Sequence, residues 1–145
     1  MEKIVLATGG FDPVHSGHIA YLKAAKNLGD KLIIGLNSDA WLERKKGQAF
    51  MSFFERQAVV EHLNMVDCVI DFNDNDNTAI CAIQKVKNMF PKAQIIFVNG
   101  GDRTVDNIPE ITETNVIFKF GVGGTDKMNS SSQLLQNWAS QLIKR

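Results

Sequence analysis

Neither sign of charge predominates in this chain: 16 lysines and arginines face 16 aspartates and glutamates over 145 residues, leaving it formally neutral. A neutral chain offers no broad footprint for nucleic acid or a membrane surface, so any recognition of phosphate has to be local. Cysteine is scarce. Cys68 and Cys81 fall in a strand-like and a helix-like run without metal-ligand spacing, which reads as two buried thiols rather than a disulfide or a zinc site. No apolar run is long enough to span a bilayer, and Met1-Glu2-Lys3 leads straight into an apolar segment without the basic region and long apolar stretch of a secretion signal. The expected compartment is therefore the cytoplasm. No repeat or linker interrupts the chain, and 44% hydrophobic with 22% charged residues suits one domain over residues 1–145 with a single core.

Hydrophobic periodicity alternates between strand and helix. Ile4–Ala7, Leu32–Leu36, Val66–Phe72, Ile95–Val98 and Val116–Phe118 read as strands. Between them lie a helix from His18 to about Asn27, a helix opened by the capping-box pair Ser52 and Glu55, and a helix capped by Thr78 with Ile80, Ile83, Val86 and Phe90 along one stripe. The second helix is expected to bury Phe54, Ala58, Val59 and Leu63. A last helix from about Ser131 is expected to bury Leu134, Leu135, Trp138 and Leu142. The segment between Asn37 and Ser52 reads as a polar, lysine-rich loop. The sum is an α/β fold, a Rossmann-like open five-stranded parallel sheet with helices on both faces, and ligands of such sheets bind beyond the carboxyl ends of the strands.

Just past the first strand stands Gly9-Gly10-Phe11-Asp12-Pro13-Val14-His15-Ser16-Gly17-His18. A helix starting there directs unpaired N–H groups and its positive dipole end at the preceding turn, which suits phosphate oxygens. Gly9, Gly10 and Gly17 allow tight turns and close backbone approach, Pro13 stiffens the loop, and helical spacing brings His15 and His18 together. The same residues also admit two blander accounts: an ordinary strand-to-helix connection, or a metal set of His15, His18 and Asp12 completed from elsewhere. Other polar signals fall after other strands: Asn37-Ser38-Asp39 and Arg44-Lys45-Lys46-Gly47 after the second, Asn99 to Arg103 after the fourth, and Gly121 to Ser132 after the fifth. Each alone is weak, and their convergence on one crevice is what counts.

The decapeptide matches the G-x-F-D-x-x-H-x-G-H signature of the nucleotidylyltransferase superfamily, which this chain resembles. The likeness spans nearly the whole chain. Leu28 to Asp39, Lys46-Gly47, Glu55-Arg56 and Gly100-Gly101-Asp102 resemble the adenylyltransferase domain of the bifunctional heptose enzymes more than glycerol-3-phosphate cytidylyltransferase. The resemblance implies transfer of AMP or CMP from ATP or CTP to a small phosphorylated sugar, polyol or similar acceptor, with Mg²⁺ accompanying the triphosphate and pyrophosphate released. ATP is favoured over CTP; a homodimer is a family expectation, and no nucleic acid or membrane partner is implied. A nucleotide-binding module without catalysis and a metal hydrolase built on His15 and His18 are the alternatives of other classes.

On this resemblance His15, His18 and Lys46 are the catalytic residues, the histidines on the β and α phosphates and Lys46 as a mobile lid. Gly9, Gly10, Phe11, Asp12, Gly17, Gly100, Asp102, Ser130 and Ser131 are candidate nucleotide contacts, and Lys45, Arg56, Arg103 and Lys127 candidate phosphate contacts. No metal ligands are assigned. Arg56 has a helix-surface pair with Glu55 or Glu61 as its plain alternative. His62 and Trp138 read as structural, Trp41 as packing beside the lid, and Asp71 to Asp76 as a solvated loop. Two departures bear on the acceptor. An arginine of the glycerol-type C-terminal motif is replaced by Gly123-Gly124-Thr125-Asp126-Lys127, so Lys127 or Arg103 would have to stand in. The segment between Lys46 and Glu55 is also shorter than in the heptose type and carries Phe50, Met51, Phe53 and Phe54.

Overall fold

The strands form one five-stranded parallel sheet in the order β3-β2-β1-β4-β5. They are β1 (Lys3–Gly9), β2 (Lys31–Leu36), β3 (Cys68–Ile70), β4 (Gln94–Val98) and β5 (Val116–Lys119). The helices are α1 (Ser16–Lys26), α2 (Asp39–Lys46), α3 (Phe53–Val60), α4 (Ile80–Met89) and α5 (Ser131–Ile143), with a short 3₁₀ turn at Pro109–Thr112. The computed structural model describes residues 1–100, 103–104, 106–124 and 130–143.

Alternation along β1 explains the layers. Val5 and Ala7 turn to one face with Leu32, Ile34, Ile96 and Val98, where Leu22 and Ala25 of α1 and Val60 of α3 cover them. Ile4 and Leu6 turn to the other with Ile33, Ile95 and Phe97, covered by Ala82, Ile83 and Val86 of α4. Successive strand side chains point to opposite faces, so strands covered on both sides read as the continuous apolar runs seen here. β1 pairs with both β2 and β4. The chain thus reverses its winding at β1, and the crevice at its carboxyl end is the expected ligand site of such a sheet.

Several helical details differ from expectation. The lysine-rich segment after β2 is helical: Ser38 caps α2 by accepting the Trp41 N–H at 3.1 Å. The third strand is shorter than Val66–Phe72, because pairing with β2 covers only Cys68 to Ile70. Thr78 stands one residue before the N-cap of α4, which is Ala79 with its N–H on Glu110, yet its hydroxyl accepts the Ile80 N–H at 3.3 Å. In α5 no residue is buried, and Trp138 is 58% exposed. Leu142 is exposed as well, so the apolar stripe of α5 does not enter the core of the described residues. Cys68 and Cys81 are free, half-buried thiols.

The largest correction concerns α3. Phe54 is 78% exposed and Val59 is exposed, while Arg56 and Val60 point inward. Polar acceptors set this rotation. The Arg56 guanidinium donates to Met51 O at 3.0 Å, Gly10 O at 2.9 Å, Asn37 O at 2.8 Å and Asp39 Oδ1 at 2.7 Å. Arg56 therefore contacts neither Glu55 nor Glu61 nor a phosphate site; it is a fully buried clamp. Removing a buried, hydrogen-bonded charge strands its partners, so Arg56→Met is expected to cost about 3–5 kcal/mol in urea denaturation. Phe54→Ser, on the same helix, should stay within about 0.5 kcal/mol of the parent. A large loss from Phe54→Ser would mean that its ring is covered after all.

Candidate active site

β1 ends at Gly9, and the turn that follows contains a cis Asp12–Pro13 peptide and Phe11 at φ 51°. The left-handed residue is thus Phe11, while the glycines before it serve close approach. A Cβ on Gly10 would meet Leu42 Cδ2 at 2.8 Å and Trp41 Cζ3 at 3.5 Å. The turn is therefore pressed against α2.

α1 begins at Ser16, two residues earlier than expected, and this makes His15 its N-cap. The Gly17 N–H donates to His15 Nδ1 at 3.0 Å, and the His15 N–H donates to His18 Nδ1 at 3.2 Å. Each imidazole satisfies one orphan amide of the helix start, in the reciprocal manner of a capping box. The rings stack with centroids 3.9 Å apart, and Phe11 tilts against His18 at 4.8 Å. Because each Nδ1 accepts, a neutral ring must carry its proton on Nε2. Burial lowers the pKa of both histidines, and burial together with the charge of His15 takes His18 down to about 4. Near neutral pH the pair is two uncharged Nε2–H donors at a helix N-terminus.

These donors face a cavity of about 720 Å³. Thr8, Gly9, Gly10, His15, Gly17 and His18 line its floor; Asn37, Trp41 and Lys45, with Asn77 and Ala79, line the β2 flank. Val98, Asn99, Gly100, Arg103 and Val122 to Gly124 line the β4 flank, and Ser130 to Ser132 stand where α5 begins. The Ser131 hydroxyl donates to Pro13 O at 2.8 Å, fixing the start of α5 beside the histidine turn. A second cavity of about 510 Å³, between Leu36, Phe53 and Phe72, is lined by Ser38 and Asp39 but by no residue of the histidine turn.

Of the residues singled out in the sequence, Gly9, Gly10, His15, Gly17, His18, Lys45, Gly100, Arg103, Ser130 and Ser131 meet in this cavity. Asp102 and Lys127 lie outside the described residues. Phe11, Asp12, Lys46 and Arg56 do not line it. Phe11 is buried behind His18. Asp12 is 2% exposed and accepts the N–H groups of Phe50 and Met51, each at 2.7 Å. Lys46 is turned onto Asp12, with Nζ 3.0 Å from the carboxylate and 2.7 Å from the Asp12 carbonyl. The carboxylate is spent on the 50–51 turn and the lysine, so Asp12 does not join His15 and His18 as a ligand set. Among the described residues no group of three or more His, Cys, Asp or Glu is placed to hold a metal ion.

Four further residues shape the site. Tyr21 donates its hydroxyl to Val98 O at 3.1 Å, and its ring is so close under Gly100 that a Cβ there would lie 3.1 Å away. Its spacing of three from His18 on α1 was the available signal. Asn99 Nδ2 is a buried donor with no partner among the described residues, and Asn99 lines the cavity. Glu110, buried to 7% exposure, accepts the Ala79 N–H at 2.7 Å and so joins the segment after β4 to the start of α4. Asp74, expected in a solvated loop, is buried and accepts from Asn37 Nδ2, Ser38 N and Ser38 Oγ. Trp41 packs, as expected, but also faces the cavity, with Lys45 Nζ 4.6 Å from its ring centroid. His62 is exposed.

Comparison with known proteins identifies the family. The sequence profile of the cytidylyltransferase-like family matches residues 6–133. The chain is 38% identical to the bifunctional protein HldE of Marinomonas sp. (strain MWYL1) over 109 residues, 74% of this chain and 21% of that protein. The HldE of Erwinia tasmaniensis is 36% identical, with 87% of this chain and 29% of that protein covered. The chain thus spans between a fifth and a third of these relatives. Among solved structures, a lipopolysaccharide core biosynthesis protein from Thermoplasma volcanium superposes with a TM-score of 0.65 at 26% identity, covering 89% of this chain and 100% of that one. A putative nicotinate-nucleotide adenylyltransferase from Vibrio parahaemolyticus shares the fold, with a TM-score of 0.64 at 16% identity over 97% of this chain and 89% of that one. No helix among the described residues is long and apolar enough to cross a membrane. With a profile match over most of its length, and with its histidine turn at the carboxyl end of β1, the chain belongs to the cytidylyltransferase-like family.

Proposed function

We propose that this protein is a nucleotidylyltransferase that moves a nucleoside monophosphate from a nucleoside triphosphate to a small phosphorylated acceptor of the sugar or polyol type. The observation that carries this reading is the pair of Nδ1-latched imidazoles, His15 and His18, presenting neutral Nε2–H donors into the cavity at the start of α1. ATP is the favoured donor, because the matched relatives are HldE proteins; CTP is the runner-up, on the family's own description.

In the proposed reaction an anionic oxygen of the acceptor phosphate attacks the α-phosphorus in line. The new P–O bond forms as the α–β bridging bond breaks, and the bond electrons leave with pyrophosphate. The attacking oxygen is already ionised near neutral pH, so the protein supplies position and charge stabilisation rather than a strong base. His15 and His18 donate to the phosphates through Nε2, Gly9, Gly10 and the first amides of α1 approach them closely, and Ser130 and Ser131 receive the pyrophosphate end. Asn99, whose amide donor has no partner among the described residues, is suited to a nucleotide acceptor atom on the β4 flank. Mg²⁺ bound with the triphosphate would neutralise polyphosphate charge, held chiefly by phosphate oxygens and water; among the described residues, Glu110 is the carboxylate lining the cavity that would be at hand to assist.

Thermal stabilisation by ATP, CTP, GTP and UTP with Mg²⁺ tests the donor. Ligand at about a hundred times its dissociation constant should add roughly 2.7 kcal/mol, from ATP above the others, and His18→Ala should abolish the gain together with pyrophosphate release. Stabilisation by none of the four would overturn the reading.

The latch also fixes a pH dependence. His18 titrates near 4 in the fold and near 6.5 in the unfolded chain. Between these values the unfolded state holds the extra proton, so His18 lowers the stability of the ligand-free protein as pH drops from about 6.5 to about 4 and makes no pH-dependent contribution above. His18→Gln keeps an acceptor at the same helix position but cannot titrate. Its denaturation midpoint at pH 4.5, relative to pH 7.5, should decline less than that of the parent; equal declines would show that other groups set the acid limit.

A further inference from the structure

We propose that Asn37 and Asn77, turned in opposite senses by Asp74 and Arg44, form a hydroxyl-reading pair on the β2 flank of the cavity and select an acceptor that carries a free hydroxyl besides its phosphate. The inference rests on the nucleotidyl-transfer reading above and adds which side chains choose the second substrate.

Both asparagines line the cavity, and each is oriented by a partner whose chemistry leaves one choice. The Asp74 carboxylate can only accept, so the Asn37 amide faces it with Nδ2, at 3.1 Å. Ser38 donates to the same carboxylate from N at 2.8 Å and from Oγ at 2.7 Å, which fixes Asp74 in turn. The Arg44 guanidinium can only donate, so the Asn77 amide faces it with Oδ1, 3.0 Å from Nε. An amide that spends its nitrogen on one side shows its oxygen on the other. Asn37 therefore keeps Oδ1, an acceptor, and Asn77 keeps Nδ2, a donor. Neither atom has a partner among the described residues. Nor is Asn37 Oδ1 sealed in, because the fully buried side-chain polar atom left without a partner among the described residues is Asn99 Nδ2. The open space that Asn37 borders is the cavity.

The two orienting groups are themselves joined. Arg44 Nη2 donates to the Asp74 carbonyl at 2.7 Å, and the Asn77 N–H donates to the same carbonyl at 3.0 Å. The loop that carries Asn77 is thus fastened to α2 and, through Asp74, to the Asn37–Ser38 corner. Asn77 stands at φ 64°, in the left-handed region that glycine enters at least cost. Asparagine is tolerated there and brings the amide with it.

A hydroxyl is the group that uses both atoms. It accepts from Asn77 Nδ2 and donates to Asn37 Oδ1, or two adjacent hydroxyls divide the two roles, whereas a phosphate dianion only accepts and gains nothing from Oδ1. In the reaction proposed above the nucleotide takes the histidine turn, Ser130 and Ser131, and Asn99 on the β4 flank. The β2 flank is left to the acceptor, and the pair reads the part of it that lies beyond the phosphate.

The test uses the full chain loaded with a non-hydrolysable α,β-methylene analogue of the nucleotide that stabilises it, and titrates four probes by calorimetry. Glycerol 3-phosphate and D-mannose 1-phosphate carry hydroxyls; propyl phosphate and cyclohexyl phosphate keep the phosphate on a bare carbon skeleton. The parent should prefer the better hydroxyl-bearing probe over its bare counterpart by about tenfold or more. Asn77→Gly keeps the backbone conformation and removes the donor without adding charge, so it should lose most of that preference while binding the bare phosphates and the nucleotide within about twofold of the parent. Asn77→Asp keeps the acceptor for Arg44 but presents an oxygen in place of the donor, and should lose the preference as well. Arg44→Lys cannot span both of its acceptors and should lose part of it with the charge retained. The pair is overturned if the loaded parent shows no preference for either hydroxyl-bearing probe, if the preference survives in Asn77→Gly and Asn77→Asp, or if the bare phosphates weaken by the same factor in Asn77→Gly. A parent that binds no nucleotide at all strikes instead at the nucleotidyl-transfer reading.

Discussion

One buried guanidinium holds the active-site end of the sheet together. Arg56 reaches from α3 to the Gly10 carbonyl after β1, the Asn37 carbonyl after β2, the Met51 carbonyl before its own helix and the Asp39 carboxylate at the start of α2. A planar fork of five donors is the side chain able to satisfy so many converging acceptors at once. Without it, carbonyls at two strand ends would be buried without partners, and the turn that carries the histidines would lose its fixed distance from α2. The geometry of the histidine turn thus depends on a residue that does not line the cavity.

Two carboxylates extend the same logic outward. Asp12 closes the turn at Phe50 and Met51 and holds Lys46, while Asp74 secures the Asn37–Ser38 corner from which α2 departs. Both are almost fully buried, and both spend their oxygens on backbone amides or neighbouring side chains, which is how a carboxylate is tolerated away from water. The segment between β2 and α3, although it contains no strand, is thereby tied down at both its ends. Trp41 and Lys45 stand on that base.

The sheet was legible because its strands are buried on both faces and announce themselves as continuous apolar runs. The histidine pair was legible because its glycines and spacing sit at a strand–turn–helix junction. Less visible was anything decided by a distant polar partner. Nothing local marks Arg56 as buried, since a charged residue at that helical position ordinarily faces water, and the carbonyls that draw it inward lie 5 to 46 residues away. The same holds for Asp12, Asp74 and Glu110, each of which resembles a loop residue until the amides it accepts are brought to it. The α5 stripe erred in the opposite direction: helical spacing of Leu134, Trp138 and Leu142 identified an amphipathic helix correctly, but periodicity says nothing about whether a surface is present to receive it.

The contact between Glu110 and Ala79 carries a consequence for how the molecule exchanges its ligands. It spans the cleft, fastening the chain that follows β4 to the helix that follows β3, and a buried hydrogen bond to a charged group is worth about 1.5–3 kcal/mol. Parting the two walls would forfeit that bond, so the cleft behaves as a braced slot rather than a jaw. In the reaction proposed above, access to the cavity would then fall to side chains at the rim, which reorient in picoseconds to nanoseconds, while the walls joined by Glu110 and Ala79 stay together.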